Sequence, residues 1–272
     1  MTPNLAPNLA QWVLARLSAP LPGYARMLDR AFSVSPPACG EGWFERSLED
    51  SAQEPRWLMA QLFNRARDAA ERAERLWDVA ARALDPMVAE NFRQHAIDES
   101  RHAKMFAWVL AQVFPDRVSE RAMAKVNALA PGYAPDDHPT PLAPLSDGRV
   151  LDAVIRANLE AVRACRETVL IWPHVVRAAG SGAPASRVAW MGNRLAYDDM
   201  KHVLYTASIL DAECIQERAA FVEHLFTEQT TERMGMPLSD ASREIETVRP
   251  PANAPTNSMV VPKPNARSRM AG

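Results

Sequence analysis

HAIDESRHAKMF, residues 95–106, sets Glu99 three residues before His102 inside an apolar run. At 100° per residue, Phe92, His95, Glu99, His102, Phe106, Val109 and Val113 share one helical stripe. The acid and the imidazole therefore point where the apolar side chains point. An ionised carboxylate in an apolar interior costs several kcal/mol unless something compensates it. A metal cation compensates it strongly and takes an anionic carboxylate and a neutral imidazole as ligands. The i, i+3 spacing brings both within reach of one ion.

The spacing occurs again in LAYDDMKHVLYTASIL, residues 195–210, where Leu195, Asp199, His202, Thr206 and Ile209 share a stripe. One acid-x-x-His pair arises by chance in many helices. Two pairs carry more, because each lies on the apolar face of the second helix of a hairpin. The first hairpin is read as helices over 55–84 and 86–114, broken at Asp85-Pro86, since proline lacks the N–H and disfavours helix in the preceding residue. The second is read as helices over 148–179, stopped at Gly180, and 184–217, with an extension towards 232. A short helix is expected at 116–129 and a proline-rich crossover at 130–147. The expected domains are an N-terminal helical and irregular segment (1–50), a di-metal helical bundle (51–235) and a flexible tail (236–272) rich in proline.

Composition agrees with an all-α chain. The 272 residues are 47% hydrophobic, enough for one substantial core. The 22 prolines crowd residues 20–37, 131–144 and 249–264, leaving stretches rich in Ala, Leu, Arg and Glu, which are good helix formers. No segment alternates with period two for long enough to mark a strand. A net charge of −2 gives no reason to expect a nucleic-acid or membrane-surface partner. The three cysteines, Cys39, Cys165 and Cys214, are far apart with no CxxC, which fits a reducing compartment. The segment MTPNLAPNLAQWVLARLSAPL lacks the basic start and apolar run of a signal peptide, and no stretch reaches the roughly 18 apolar residues of a membrane span. A cytoplasmic protein is expected.

Two helical hairpins joined by a long crossover, each with an acid-x-x-His on its second helix, resemble the ferritin-like di-iron carboxylate superfamily, a four-helix bundle here with extra N-terminal helices. DESRH and DDMKH carry the resemblance, which spans roughly residues 55–215. Within it the spacings are most similar to the aldehyde-deformylating oxygenases. Glu71 lies 28 residues before Glu99 with Pro86 at the turn, Glu160 lies 13 before Pro173, and DDMKHVLY resembles that group's DE-x-x-H-x-x-Y. The resemblance implies two iron ions, or a manganese–iron pair, held by Glu71, Glu99, His102, Glu160, Asp199 and His202, with Glu99 and Asp199 bridging. Asp199 stands where that group has the longer Glu, and Asp198 is the substitute.

The residues themselves leave alternatives open. A helical wheel places Glu71 off the stripe Leu62, Ala66, Ala69, Ala73, Leu76 and Ala80, beside Arg67 and Arg75, and Asp68 and Glu74 are its rivals. Glu160 lies between Arg156 and Arg163 as in a surface ion-pair ladder, and Glu167 is its rival. His95 reads either as an additional ligand, as in some di-iron N-oxygenases, or as a partner of a ligand carboxylate. Tyr205 reads as such a partner, a redox-active phenol or a packing residue. Cys165 and the tryptophans Trp57, Trp77, Trp108, Trp172 and Trp190 read mostly as core, and His138 as solvated.

The expected function is O₂-dependent oxidation of a small apolar substrate by a non-haem di-iron oxidase or oxygenase. Phe92, Phe106, Val109 and Leu195 are candidates for the pocket wall. Electrons would come from an external donor of ferredoxin or reductase type, because no GxGxxG turn is present. The alternatives are a ferroxidase or iron-handling protein and a metal-free helical scaffold. A homodimer joined through the apolar face Leu9, Trp12, Val13 and Leu17 is the candidate assembly.

Overall fold

A computed structural model describes residues 9–34, 54–115, 143–214 and 218–234, with 118, 120, 121 and 124. Its long elements are helical: α1 (Leu9–Leu14), α2 (Pro22–Val34), α3 (Glu54–Arg82), α4 (Pro86–Val113), α5 (Asp147–Ala178), α6 (Ala183–Glu213) and α7 (Ala219–Met234). Most of the expected 116–129 helix and 130–147 crossover lies outside the described residues, as does the 236–272 tail.

The turn between α3 and α4 does more than break a helix. Asp85 caps α4, its carboxylate accepting from the backbone N–H of Met87 at 2.7 Å and Val88 at 3.2 Å, with Pro86 in the first turn where no N–H is needed. Gly180, at φ +77°, follows the end of α5 in the left-handed conformation that glycine adopts at low cost. The sequence predicts a last long helix that runs past 213. In the structure α6 stops at Glu213, and α7 is a separate helix.

α3 pairs with α4 and α5 with α6, while α4 meets α6 and α3 meets α5. α2 and α7 pack together across one end, touching α6 and α5. Along α4, Phe92 and Ala96 belong to one apolar cluster and Met105, Phe106, Val109 and Leu110 to another. Along α6, the same two clusters take Val203, Ala207 and Leu210, and Val188, Met191 and Leu195. Between them on both helices lies a buried polar belt: Asp98, Glu99 and His102 on α4, Asp198, Asp199 and His202 on α6. Burying each large apolar side chain contributes about 1.5–3 kcal/mol, so two apolar halves clamp the helices above and below the belt.

Gly192 of α6 faces Trp172 of α5 so closely that an added Cβ would lie 2.0 Å from the indole ring. The glycine lets Trp172 Nε1 reach the Val188 carbonyl at 2.7 Å. The N-terminal apolar face is covered in large part by its own chain. Trp12 and Val13 are buried, and Leu9 and Leu17 pack on the same chain's core. Trp190, expected in the core, is 60% exposed.

Candidate metal centre

The two acid-x-x-His pairs meet where α4 faces α6. Glu99, His102, Asp199, His202 and also His95 are buried together. They form two groups of metal-ligating type, His95–Glu99–His202 and Glu99–His102–Asp199, each with one ligand atom per residue mutually within 4.8 Å. Glu99 belongs to both. The first group is two imidazoles and one carboxylate, a donor set characteristic of non-haem iron.

His202 and His102 are each oriented by an acid on the opposite helix. His202 Nε2 lies 3.2 Å from Asp98 Oδ2, and His102 Nε2 lies 3.4 Å from Asp198 Oδ2. A carboxylate accepts only, so each ring donates from Nε2 and turns Nδ1 towards Glu99 and Asp199. His102 Nδ1 is 3.7 Å from Glu99 and 3.9 Å from Asp199, and His202 Nδ1 is 4.0 Å from Asp199. His95 stacks on His202 with centroids 3.6 Å apart, and its Nδ1 lies 2.9 Å from the Tyr205 hydroxyl. That leaves His95 Nε2 facing Glu99 Oε1 at 3.5 Å. Arg101 and Lys201 bridge Asp98 and Asp198 at the edge of the belt, and Arg194 adds a contact to Asp198 at 2.9 Å.

Four atoms in this cluster have no hydrogen-bond partner: His95 Nε2, Glu99 Oε1, Asp199 Oδ1 and His202 Nδ1. A buried polar atom left unpaired costs about 1–3 kcal/mol. Four of them converging, all of ligand type, fit a metal in a way that a packed helix face does not.

The protonation states follow from burial and charge. Burial pushes His202 down to about 3, helped by His95, and lowers His95 as well, so both are neutral imidazoles at physiological pH. Burial also opposes charge on His102, but Asp198 and Glu99 outweigh it and raise the group to about 9. Burial alone would raise Glu99, yet Arg72 and His102 hold it well below the usual carboxylate range. Burial raises Asp199 to about 7, with His102 opposing and Glu99 reinforcing the shift. The belt thus concentrates carboxylates whose negative charge a cation would relieve.

Of the six ligands implied by the resemblance, the structure brings four together and leaves two apart. Glu71 is half exposed and pairs with Arg67 at 3.8 Å. Glu160 pairs with Arg75 at 3.0 Å and lies 3.9 Å from Arg156. Their rivals do not replace them: Asp68 pairs with Arg67, Glu74 is exposed, and buried Glu167 is held by Arg65 at 2.7 Å and Arg163 at 2.8 Å. In place of a carboxylate, α3 sends Arg72 into the belt, its guanidinium 3.0 Å from Glu99 Oε2. The stripe Leu62, Ala66, Ala69, Ala73, Leu76 and Ala80 is buried as expected, and Arg65 and Arg72 flank it at i+3 from Leu62 and Ala69. That spacing was the available signal for Arg72. The signal for Asp98 and Asp198 was an acid immediately before each candidate ligand carboxylate. Tyr205 partners His95, and Cys165 is buried, its Sγ 3.5 Å from the Ala196 carbonyl.

Comparison with known proteins finds no matching family, curated protein or solved structure. Among the described residues no helix is long and apolar enough to cross a membrane.

Proposed function

We propose that this chain is a ferritin-like, O₂-dependent oxidase or oxygenase with a two-metal centre of iron, or manganese and iron, shared across Glu99. The observation that carries the reading is the convergence of His95 Nε2, Glu99 Oε1, Asp199 Oδ1 and His202 Nδ1, buried and without hydrogen-bond partners. One ion would take His95, Glu99 and His202, and the other Glu99, His102 and Asp199. Bound iron would supply the reducing electrons and open coordination positions that O₂ reduction requires.

The chain's own residues prepare the site. Asp98 and Asp198 fix the imidazoles of His202 and His102 through Nε2. Tyr205 fixes His95. Arg72 holds one oxygen of Glu99 and leaves the other facing His95 Nε2 without a hydrogen bond. The apolar clusters on either side keep water from the belt and strengthen every charge interaction inside it. Phe92 packs edge-on against Tyr205 and lines a cavity, so a small molecule has a place beside the centre, which favours oxidation of a substrate over iron handling. Phe106, Val109 and Leu195 belong to the opposite apolar cluster and do not line this cavity. Electrons would come from an external donor of ferredoxin or reductase type.

O₂ uptake tests the reading. Anaerobically prepared chain loaded with ferrous iron is exposed to O₂, alongside His202→Ala. Uptake faster than that of free ferrous iron, lost in the variant, supports it. Uptake no faster than free iron refutes it.

A further inference from the structure

A cavity of about 550 Å³ lies between α3 and α5, with Phe92 of α4 in its wall. That falls in the range of small-molecule sites. Leu76, Val79, Phe92, Leu145, Ala153 and Ala157 give it an apolar lining.

The same wall carries five arginines. Two are neutralised: Arg75 by Glu160 and Arg82 by Asp78, each at 3.0 Å. The other three are not fully engaged. Arg72 gives one N–H to Glu99, but its Nε is buried without a partner. Arg156 faces only the Glu160 carboxylate that Arg75 already holds, its Nε 3.9 Å away and making no hydrogen bond. Arg149, exposed, makes no ion pair among the described residues. The remaining acids of the wall, Asp152 and Glu74, form no ion pair with these three among the described residues. Asp152 accepts from Gln229 at 2.5 Å, and Glu74 is exposed.

We propose that this cavity binds a small amphipathic carboxylate, its anionic head on Arg72 and Arg156 and its apolar chain against Leu76, Val79 and Phe92. A planar carboxylate matches the fork of a guanidinium, and Arg156, with 40% of its side chain accessible, can present it to the cavity. The apolar lining gives no partner to a fully polar anion. Because Arg72 touches Glu99 as well, the head would lie on the side of the metal centre, and the carbons next to the carboxylate would be those nearest to it. Calling this molecule the substrate rests on the oxidase reading, whereas its binding does not.

Titration calorimetry of the full chain as purified tests the proposal, with octanoate as probe and 1-octanol and octylammonium as controls. Iron is measured on the same samples. Octanoate is expected to bind saturably, with both controls at least ~10-fold weaker. Arg156→Gln should weaken octanoate ~3- to 10-fold, and Arg149→Gln, which removes an exposed, unpaired positive charge from the same wall without disturbing the fold, should weaken it by a smaller factor. No saturable octanoate binding, equal binding of octylammonium, or affinity unchanged in both variants would overturn the proposal. Selective octanoate binding to chain without iron would uphold the cavity and sink the oxidase reading. Iron without octanoate binding would do the reverse.

Discussion

Arg72 replaces, at the belt, a carboxylate expected from the resemblance, and its removal is the most informative perturbation of the fold. Glu99 is 1% exposed and Arg72 15%, with 3.0 Å between them. Removing one partner of a buried ion pair costs about 3–5 kcal/mol, because the other charge stays buried and uncompensated. Arg72→Met keeps most of the apolar stem, so the lost charge dominates. His102, protonated because its pKa is about 9, remains 3.7 Å from Glu99 and absorbs part of the loss. The expected cost in metal-free chain is therefore about 3 kcal/mol, a large share of the roughly 5–15 kcal/mol of a typical domain. At ~1–3 kcal/mol per molar urea, the midpoint falls by at least ~1 M. The double variant Arg72→Met/Glu99→Gln removes the stranded charge and should recover more than half of that loss. Manganese(II) or iron(II) at ~100 times its dissociation constant for the wild type adds ~2.7 kcal/mol to the wild type and, at that same concentration, should stabilise Arg72→Met more, since the cation takes over the role of the guanidinium. Urea denaturation with chelator and with metal measures all of this. A single-variant cost below ~1 kcal/mol, or a double variant no more stable than the single, would refute the reasoning.

Three further outcomes follow from the packing. Asp98→Asn and Asp198→Asn loosen the hold on His202 and His102, so each should weaken metal retention about 10- to 100-fold in a chelator competition; unchanged retention would remove these acids from the site. Gly192→Ala puts a methyl group 2.0 Å from the Trp172 ring. The ring must move off the Val188 carbonyl, which should cost at least about 1–3 kcal/mol, lower Tm by several degrees and change the tryptophan near-UV dichroism. Asn158→Leu strands the buried Tyr24 hydroxyl, which donates to Asn158 at 2.9 Å, while the Thr206 hydroxyl loses the Asn158 donor at 2.9 Å but still donates to the His202 carbonyl; thermal or urea denaturation should show a loss of ~2 kcal/mol.

The helices and the central pair of motifs were readable because they obey the strongest sequence rule, apolar period. Glu99, His102, Asp199 and His202 lie on apolar stripes, and those stripes meet. The carboxylates assigned by spacing to a family pattern, Glu71 and Glu160, are held by arginines instead. The wheel already places Glu71 as a solvated charge beside Arg67, and in the structure it pairs with Arg67. Arg72 was missed because a search for anions passes over a cation, although it sits one turn from both Ala69 and Leu76 of the buried stripe. The role of Asp98 was hidden for another reason. It acts across the helix interface on His202, and no spacing within one helix reports which residue lies opposite it. The N-terminal apolar face looked like a docking surface because nothing in its own sequence shows that α2 and the core cover it.

Metal content per chain tests the central claim most directly. Protein purified from iron-supplemented cells is analysed by elemental analysis, with His102→Ala and His202→Ala prepared alongside. About two metal ions per wild-type chain, falling in both variants, is the predicted result, because the two histidines serve different members of the pair. The absence of stoichiometric metal, or a content indifferent to both histidines, would contradict the account and leave the belt as a packed salt network.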